Sequence, residues 1–449
     1  MTRIVLIIVY YLANVMMSTD YSIVFATLPM MLMILYFVSR SRSPYVLFDD
    51  MLWLMAYIFF VISPIQTYSN GYFSIDGPVK GISFTTGEIV EASAVIFVFY
   101  LVFAVSLSKM RQGKPFPLNY EMNDAMAAAL LAISVIAFAL FVLSEGGFGN
   151  VLASRSEKDA TLAFSLLWLC IQMVTTFMLA ALAFDRRSLK PFALFAFAVC
   201  AAFLLVSQNP VNTPRYYFMQ TWLPIIFIAM NGKIRAAYFY IFVFFALIFL
   251  MPIFNFVGRG RIDFYEALSR LDIDTNLLTL PFVDVFDMTA YAVKRHAEHG
   301  LYWGSKTLGL FLFFIPRAIW TSKATLAGED LGYELYDAKI AGTWNLSFHV
   351  AGDFYADFGL LGSALGGFVM ALTTYVVFFR KTYLINGNNI KLYLLLSALP
   401  ILTRGPLGAN VGLLFIEMFV LLALVKLFTK LCAADHSLRS DFDPIKKIG

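Results

Sequence analysis

The stretch NLSFHVAGDFYADFGLLG, residues 345–362, gathers an imidazole, two carboxylates and several aromatic rings. His349 and Asp353 are four apart, so on a helix they would share one face. A carboxylate beside an imidazole orients it and raises its basicity, which suits removal of a proton from a hydroxyl. Tyr355 and, just upstream, Trp344 offer flat faces on which sugar rings could stack. A plainer role stays open for the same residues. Helix N-termini favour acids through the macrodipole, and hydrogen bonding at such a terminus would account for both His349 and Asp353.

A second set is basic. Arg215 opens an apolar run in SQNPVNTPRYYF, and Arg259 and Arg261 follow another in NFVGRGRIDF. Arg317 lies within FLFFIPRAIW, and Arg404 closes a run in LTRGPLGAN. The planar guanidinium matches the paired oxygens of a diphosphate and stays charged even beside lipid. With Lys306 and Lys323 these arginines could line one outward pocket for an anionic ligand at headgroup depth. Arginines at helix ends also snorkel to the interface and meet any lipid phosphate, so both roles stand at this point. His296 and His299 in KRHAEHG lack the H-E-x-x-H pattern, and the three cysteines show no ligand spacing. No metal and no cofactor are expected.

The elements that must hold these residues are membrane helices. Of 449 residues 60% are hydrophobic and only 14% charged, against about 25% charged in a soluble domain. Mean hydropathy is +0.76. Apolar windows of about 20 residues recur along the chain. The expected architecture is all-α and polytopic, with about 12 spans, near 4–18, 22–39, 45–64, 88–107, 125–143, 161–184, 190–206, 215–231, 236–254, 358–379, 390–403 and 409–430. The first run lacks a small-residue cleavage site and reads as a span rather than a removed leader.

Three parts follow from this pattern: helices over 1–254, a long loop over 255–357, and helices with a tail over 358–449. Lys and Arg of the short loops cluster on the side that carries both termini, for example Arg40, Arg42, Lys109, Arg111, Arg186, Arg187, Lys233, Arg235, Arg380 and Lys381. By the positive-inside bias both termini are expected in the cytoplasm and the long loop outside. A loop of that length is usually functional. Within it FLFFIPRAIW is too short to span and suggests an interfacial or re-entrant helix, and DFYEALSRLDIDTNLLTL a short amphipathic one. The span cores read as nearly free of charge, and no internal repeat is visible. Both features speak against an ion-coupled, inverted-repeat transporter. The net charge of +4 is unevenly spread and does not point to nucleic acid.

In layout and in three segments the chain resembles the O-antigen polymerase family, the Wzy-type polymerases of oligosaccharide repeat units. The segments are LFFIPRAIWTSK, SFHVAGDFYADFGLLG and LTRGPLGANVGLLF, together with the arginine that opens a middle span, Arg215. The likeness of motifs covers about 210–225 and 305–415. It implies a GT-C-like glycosyltransferase in a bacterial inner membrane. Its substrates would be undecaprenyl-diphosphate-linked oligosaccharides in the lipid bilayer, its long loop would be periplasmic, and a chain-length regulator protein would be its partner. Arg215, Arg317 and Arg404 fall where the family carries basic residues and Asp353 where it carries an acid, while a histidine at 349 is not a fixed family feature.

The implied reaction is inverting. An acceptor hydroxyl attacks the donor's anomeric carbon and undecaprenyl diphosphate leaves, its charge met by preorganised arginines. The loops hold no Asp-x-Asp beyond the weak DID at 272–274, so metal-independent transfer is expected. An O-antigen ligase acting on lipid A core would present similar residues, and a flippase for the same lipid-linked units is the rival from another class.

Overall fold

The computed structural model describes residues 2–69, 82–110, 113, 116–118, 124–152, 163–184, 190–208, 215–250, 284–312, 315, 320–321, 323, 327–335, 347–385, 387–405 and 407–441. In chain order the helices are α1 (Thr2–Met17), α2 (Tyr21–Arg40), α3 (Phe48–Tyr57), α4 (Ser63–Ser69), α5 (Thr86–Lys109), α6 (Asp124–Ser144), α7 (Phe148–Leu152), α8 (Ala163–Ala183), α9 (Pro191–Ser207), α10 (Arg215–Ala229) and α11 (Ala236–Phe245). After these come α12 (Val285–His299), α13 (Ser305–Phe311), α14 (Ala327–Leu335), α15 (Val350–Thr374), α16 (Ile390–Arg404) and α17 (Leu407–Asp441). Two short strands, β1 (Phe116–Leu118) and β2 (Tyr383–Ile385), pair in parallel with Phe116 opposite Tyr383.

Among the described residues 7 helical segments are long and apolar enough to cross a membrane: Tyr21–Arg40, Phe48–Tyr68, Thr86–Lys109, Asp124–Ser144, Phe164–Ala183, Val350–Phe379 and Gly412–Thr429. Four shorter apolar helices accompany them, Thr2–Met17, Pro191–Ser207, Tyr217–Ala229 and Ala236–Phe249. The chain is a mostly helical, multi-pass membrane protein. Each expected span overlaps a helix among the described residues, and seven of the segments reach span length. The expected amphipathic helix at 263–280 lies outside the described residues, and of FLFFIPRAIW only Phe311, Leu312, Ile315 and Trp320 are described.

Helix starts follow local chemistry. At α2 the Asp20 carboxylate accepts from Ser22 N at 2.8 Å. At α5 Thr85 and Glu88 form a reciprocal capping box, with Thr85 N to Glu88 Oε2 at 2.6 Å and Glu88 N to Thr85 Oγ1 at 3.2 Å. α9 opens on a proline, whose missing N–H costs nothing there.

The chain divides into two compact units that interleave along the sequence and cut across the expected three-part division. The first comprises Met1–Lys114, Gly232–Lys381 and Ala398–Val411. One end is tied by a buried ion pair, Arg3 to Asp50 at 2.8 Å. Arg3 also donates to Ser41 Oγ and the Ser43 carbonyl, and Val46 N reaches Ile234 O at 2.9 Å. Thus α1, α3 and α11 meet there.

The centre of this unit is α5 with α15 packed along it. α15 is not straight. Gly359 has φ 64 and ψ −152, values open to glycine and strained for other residues. Ser363 Oγ donates to the Ala351 carbonyl at 3.3 Å although the two are 12 residues apart, a separation of about 18 Å on a straight helix. The segment 350–358 therefore folds back on the segment after Gly359 as a helical hairpin. Contacts along α5 give the direction. His349 lies against Phe99 and Tyr100, whereas Tyr355 reaches Glu91, nine residues nearer the start of α5. So 350–358 runs antiparallel to α5, and the second limb returns beside it until Phe379 O accepts from Gly113 N at 3.0 Å. This revises the expected boundary at 358. The acid-bearing stretch is the first limb of the hairpin, not a loop leading into a span.

The turn demands close approach at one further position. A Cβ on Gly362 would meet the Phe354 carbonyl oxygen at 2.0 Å. α12 and α14 cover the first limb through a core of Met288, Ala292, Ala327, Leu331, Phe348 and Ala356.

The second unit comprises Pro115–Asn231, Thr382–Ser397 and Gly412–Gly449. α6, α8 and α9 pack mutually, with Phe138 and Phe203 stacked at 4.5 Å. Phe227 of α10 stacks on Tyr393 at 5.4 Å. Contrary to the expectation of nearly charge-free span cores, Glu417 is fully buried in the span Gly412–Thr429, where Gln220 Nε2 donates to it at 2.9 Å.

Because backbone rather than a flexible side chain faces Gly362, Gly362→Ala should destabilise the folded protein by about 2–3 kcal/mol. Gly149→Ala, whose Cβ meets nothing within 4 Å, should leave stability unchanged. Thermal unfolding of the two variants in detergent checks the pair, and equal melting temperatures would remove the hairpin contact.

Candidate functional site

His349 is the N-cap of α15, with extended backbone (φ −70, ψ 148). Its Nδ1 accepts from Ala351 N at 3.1 Å, so the ring hydrogen sits on Nε2, 3.4 Å from Tyr100 Oη. Phe60 and Phe99 meet the ring edge-on at 5.0 and 4.9 Å, and the residue is 2% exposed. An N-cap stands outside the helical spiral, so the four-residue spacing does not place His349 and Asp353 as a pair. Asp353 N donates to the His349 carbonyl at 3.2 Å, but no hydrogen bond joins the two side chains. Asp353, buried, interacts instead with the charges of Asp357 and Lys306. Hydrogen bonding at a helix N-terminus therefore describes His349: it caps the start of α15 inside an aromatic cage.

Asp357, one turn further, holds the loop above. Its carboxylate accepts from Lys306 N at 3.2 Å and Thr307 N at 2.5 Å, the free donors at the start of α13. Tyr302 N donates to the Ala356 carbonyl at 3.0 Å. The Tyr302 ring then carries two cations, Arg295 at 4.3 Å and Lys306 at 4.4 Å from its centroid. Each cation is also matched to an acid of α14: Arg295 Nε to Glu334 Oε1 at 2.7 Å, and Lys306 Nζ to Asp330.

Tyr355 is 1% exposed, which leaves no ring face for stacking on a sugar. Its hydroxyl lies 2.6 Å from Glu91 Oε1 and 2.9 Å from His296 Nδ1. His296 lines a notch with Arg295, Gly300, Tyr302, Ala292 and Leu331. Next to Tyr302 in the chain, Trp303 is 78% exposed and holds φ 54.

A third cluster surrounds Arg404, the last residue of α16. Asp284 and Asp287, at the start of α12, are 3% and 1% exposed. Burial pushes the Asp284 carboxyl up to about 6, against the opposing pull of the Arg404 guanidinium and a hydrogen bond with Ser347. Burial, with Asp284 beside it, pushes Asp287 well above the usual carboxylate range. One oxygen of each carboxylate has no hydrogen-bond partner among the described residues. Two coupled carboxylates that resist double ionisation, beside a guanidinium, can hold and release a proton near neutral pH.

The structure thus brings Asp353 and Arg404 into one unit with acids and cations that the sequence reading passed over. Packing alone joins Glu91 to His296 through Tyr355, and Arg404 to Asp284. A faint signal existed for two of the acids, since Asp284 and Asp287 interrupt the apolar run PFVDVFDM at helical spacing. Arg215 heads α10 in the second unit. Arg259, Arg261, Arg317 and Trp344 lie outside the described residues. No protein-family model, no curated protein and no solved structure matches the chain.

The raised carboxyls fix a sign. A carboxyl whose folded pKa is raised contributes stability that is complete below its unfolded pKa and is lost as pH rises through the folded value. The melting temperature in detergent should therefore fall from about pH 4 to about pH 6, where Asp284 is protonated in the folded and ionised in the unfolded chain, and the share of Asp287 is lost at higher pH. Asp287→Asn should flatten that fall. A wild-type melting temperature independent of pH over this window would show that the pair titrates as ordinary surface acids.

Proposed function

We propose that this protein is a glycosyltransferase that polymerises undecaprenyl-diphosphate-linked oligosaccharide repeat units into O-antigen or a related surface polysaccharide. It works at the periplasmic face of a bacterial inner membrane, with about twelve spans, both termini cytoplasmic and the 255–357 segment outside. The observation that carries this reading is Arg404 at the end of its helix, acting on Asp284, which in turn lies beside Asp287. A guanidinium at headgroup depth suits a lipid diphosphate, and the buried acids supply proton-holding groups in the same place.

The reaction is a displacement. The non-reducing hydroxyl of the acceptor repeat unit attacks the anomeric carbon of the growing glycan. The new C–O bond forms as the bond to the diphosphate breaks, and the electron pair leaves with undecaprenyl diphosphate. Arg404 stabilises that developing charge, with Arg215, Arg317, Arg259 and Arg261 as further candidates from the sequence. Asp353 sits within the field of Lys306 and Asp357 and tunes the same end of the unit.

A flippase for the same lipid-linked units is the second reading. Glu417 favours it, because a carboxylate inside a span is a hallmark of transport pathways.

A strain lacking the gene should lose its lipopolysaccharide ladder and retain core plus one repeat, with the plasmid-borne gene restoring it. Long chains left on the carrier lipid would mean a ligase, and repeats trapped on the cytoplasmic side a flippase. Arg404→Ala should lower chain growth by about 100-fold or more while the protein stays in the membrane, and Arg404→Lys should restore only part. Transfer in vitro should persist in EDTA, and activity restored only by Mg²⁺ or Mn²⁺ would overturn the metal-independent reading.

A further inference from the structure

Glu91, Tyr355 and His296 belong to three different helices, α5, α15 and α12, yet their polar atoms form one chain. The proton count along it is determined. A phenol has a single hydrogen, and an ionised carboxylate only accepts. At 2.6 Å from Glu91 Oε1 the Tyr355 hydroxyl spends its hydrogen on the carboxylate. Its oxygen is then an acceptor, so the hydrogen shared with His296 at 2.9 Å belongs to Nδ1. In the neutral ring the lone pair is consequently on Nε2. No described residue hydrogen-bonds that nitrogen.

The surroundings of His296 suit a small polar guest. It lines the notch beneath Tyr302, whose volume of about 10 Å³ holds one water-sized group. A hydroxyl oxygen fits there, and a sugar ring does not. The neighbouring cations are spoken for: Arg295 by Glu334, and Lys306 by Asp330. Lys294 donates to the Ser83 carbonyl at 3.1 Å. His349, in contrast, has its Nδ1 on Ala351 N and aromatic rings on its remaining sides. Of these two histidines only His296 lines a surface notch, and its Nε2 has no hydrogen-bond partner among the described residues.

We propose that His296 is the general base of this protein, taking the proton of an acceptor sugar hydroxyl, with Tyr355 and Glu91 as its positioning residues. This rests on the glycosyltransferase reading above. The hydroxyl hydrogen passes to Nε2 as the oxygen bonds to the anomeric carbon, and the diphosphate carries off the electron pair. The imidazolium so formed donates from Nδ1 to Tyr355, whose oxygen is made electron-rich by its short bond to Glu91. The Glu91 charge thereby steadies the cation from across the ring without touching the substrate.

The test uses purified full-length protein with lipid-linked repeat units, scored as kcat and KM for chain growth. His296→Gln should lower kcat by about 100-fold with KM nearly unchanged. His296→Ala should recover part of its turnover when free imidazole is added. Tyr355→Phe, nearly isosteric, should lower kcat by about 10-fold at unchanged KM and unchanged melting temperature, as expected when a base is less well oriented. Chain growth by wild type together with full activity of His296→Gln overturns the base assignment and leaves the polymerase reading intact. A wild type that elongates no glycan overturns both. A Tyr355→Phe variant with wild-type kcat removes the relay and overturns the positioning roles.

Discussion

The bend at Gly359 is the constraint on which the rest of the first unit depends. Buried backbone must satisfy its own hydrogen bonds, so a chain reversal is tolerated only where protein encloses it. Folding 350–358 into a helix meets that demand, and turning it back at Gly359 lays it against α5 and the following limb. The turn puts Asp353, Tyr355 and Asp357 in register with residues from α5, α12 and the 300–307 loop. Gly362 lets the two limbs approach to backbone contact. The bonds from Tyr302 N to the Ala356 carbonyl, from Lys306 N to Asp357 and between His296 and Tyr355 are built on that hairpin.

Charge in this setting is tolerated through pairing. Low dielectric makes an isolated ion expensive and a matched pair acceptable. Arg3 with Asp50, Arg295 with Glu334, and Lys306 with Asp330 follow this rule. Asp284 and Asp287 depart from it. The Arg404 guanidinium acts on Asp284, Asp287 has Asp284 beside it, and burial favours the protonated form of both. Groups held that far from their ordinary state mark places where a protein handles protons or anions, although buried structural networks perturb titration as well.

The second unit poses a different problem. Glu417, Gln220 and Gln172 are all fully buried within apolar helices. Gln172 meets Ser207 at 3.3 Å, while Gln220 meets Glu417. Amides and hydroxyls of this kind satisfy one another in place of water. Glu417 reopens the transporter alternative, because a nearly charge-free membrane interior was one of the grounds for ranking it lower.

Composition and hydrophobic runs by themselves determined the class: a chain this apolar, with windows of span length, has to be a bundle of membrane helices, and seven described helical segments are long and apolar enough to cross a membrane. The ends of α2, α5 and α9 were also legible, because caps are local chemistry at Asp20, Thr85 and Pro191. The stretch 345–362 is rich in ionisable and aromatic residue types, but it reverses at Gly359 instead of presenting one continuous helical face. Which histidine is caged and which is open was decided by packing alone. His349 and His296 are 53 positions apart, and nothing local distinguishes a ring that meets Phe60, Phe99 and Tyr100 from one that meets Tyr355 at a notch. Side-chain spacing reports neighbours along a helix. It does not report a reversal at one glycine, and that reversal is what carried Tyr355 from a candidate sugar platform to the middle of a hydrogen-bonded chain.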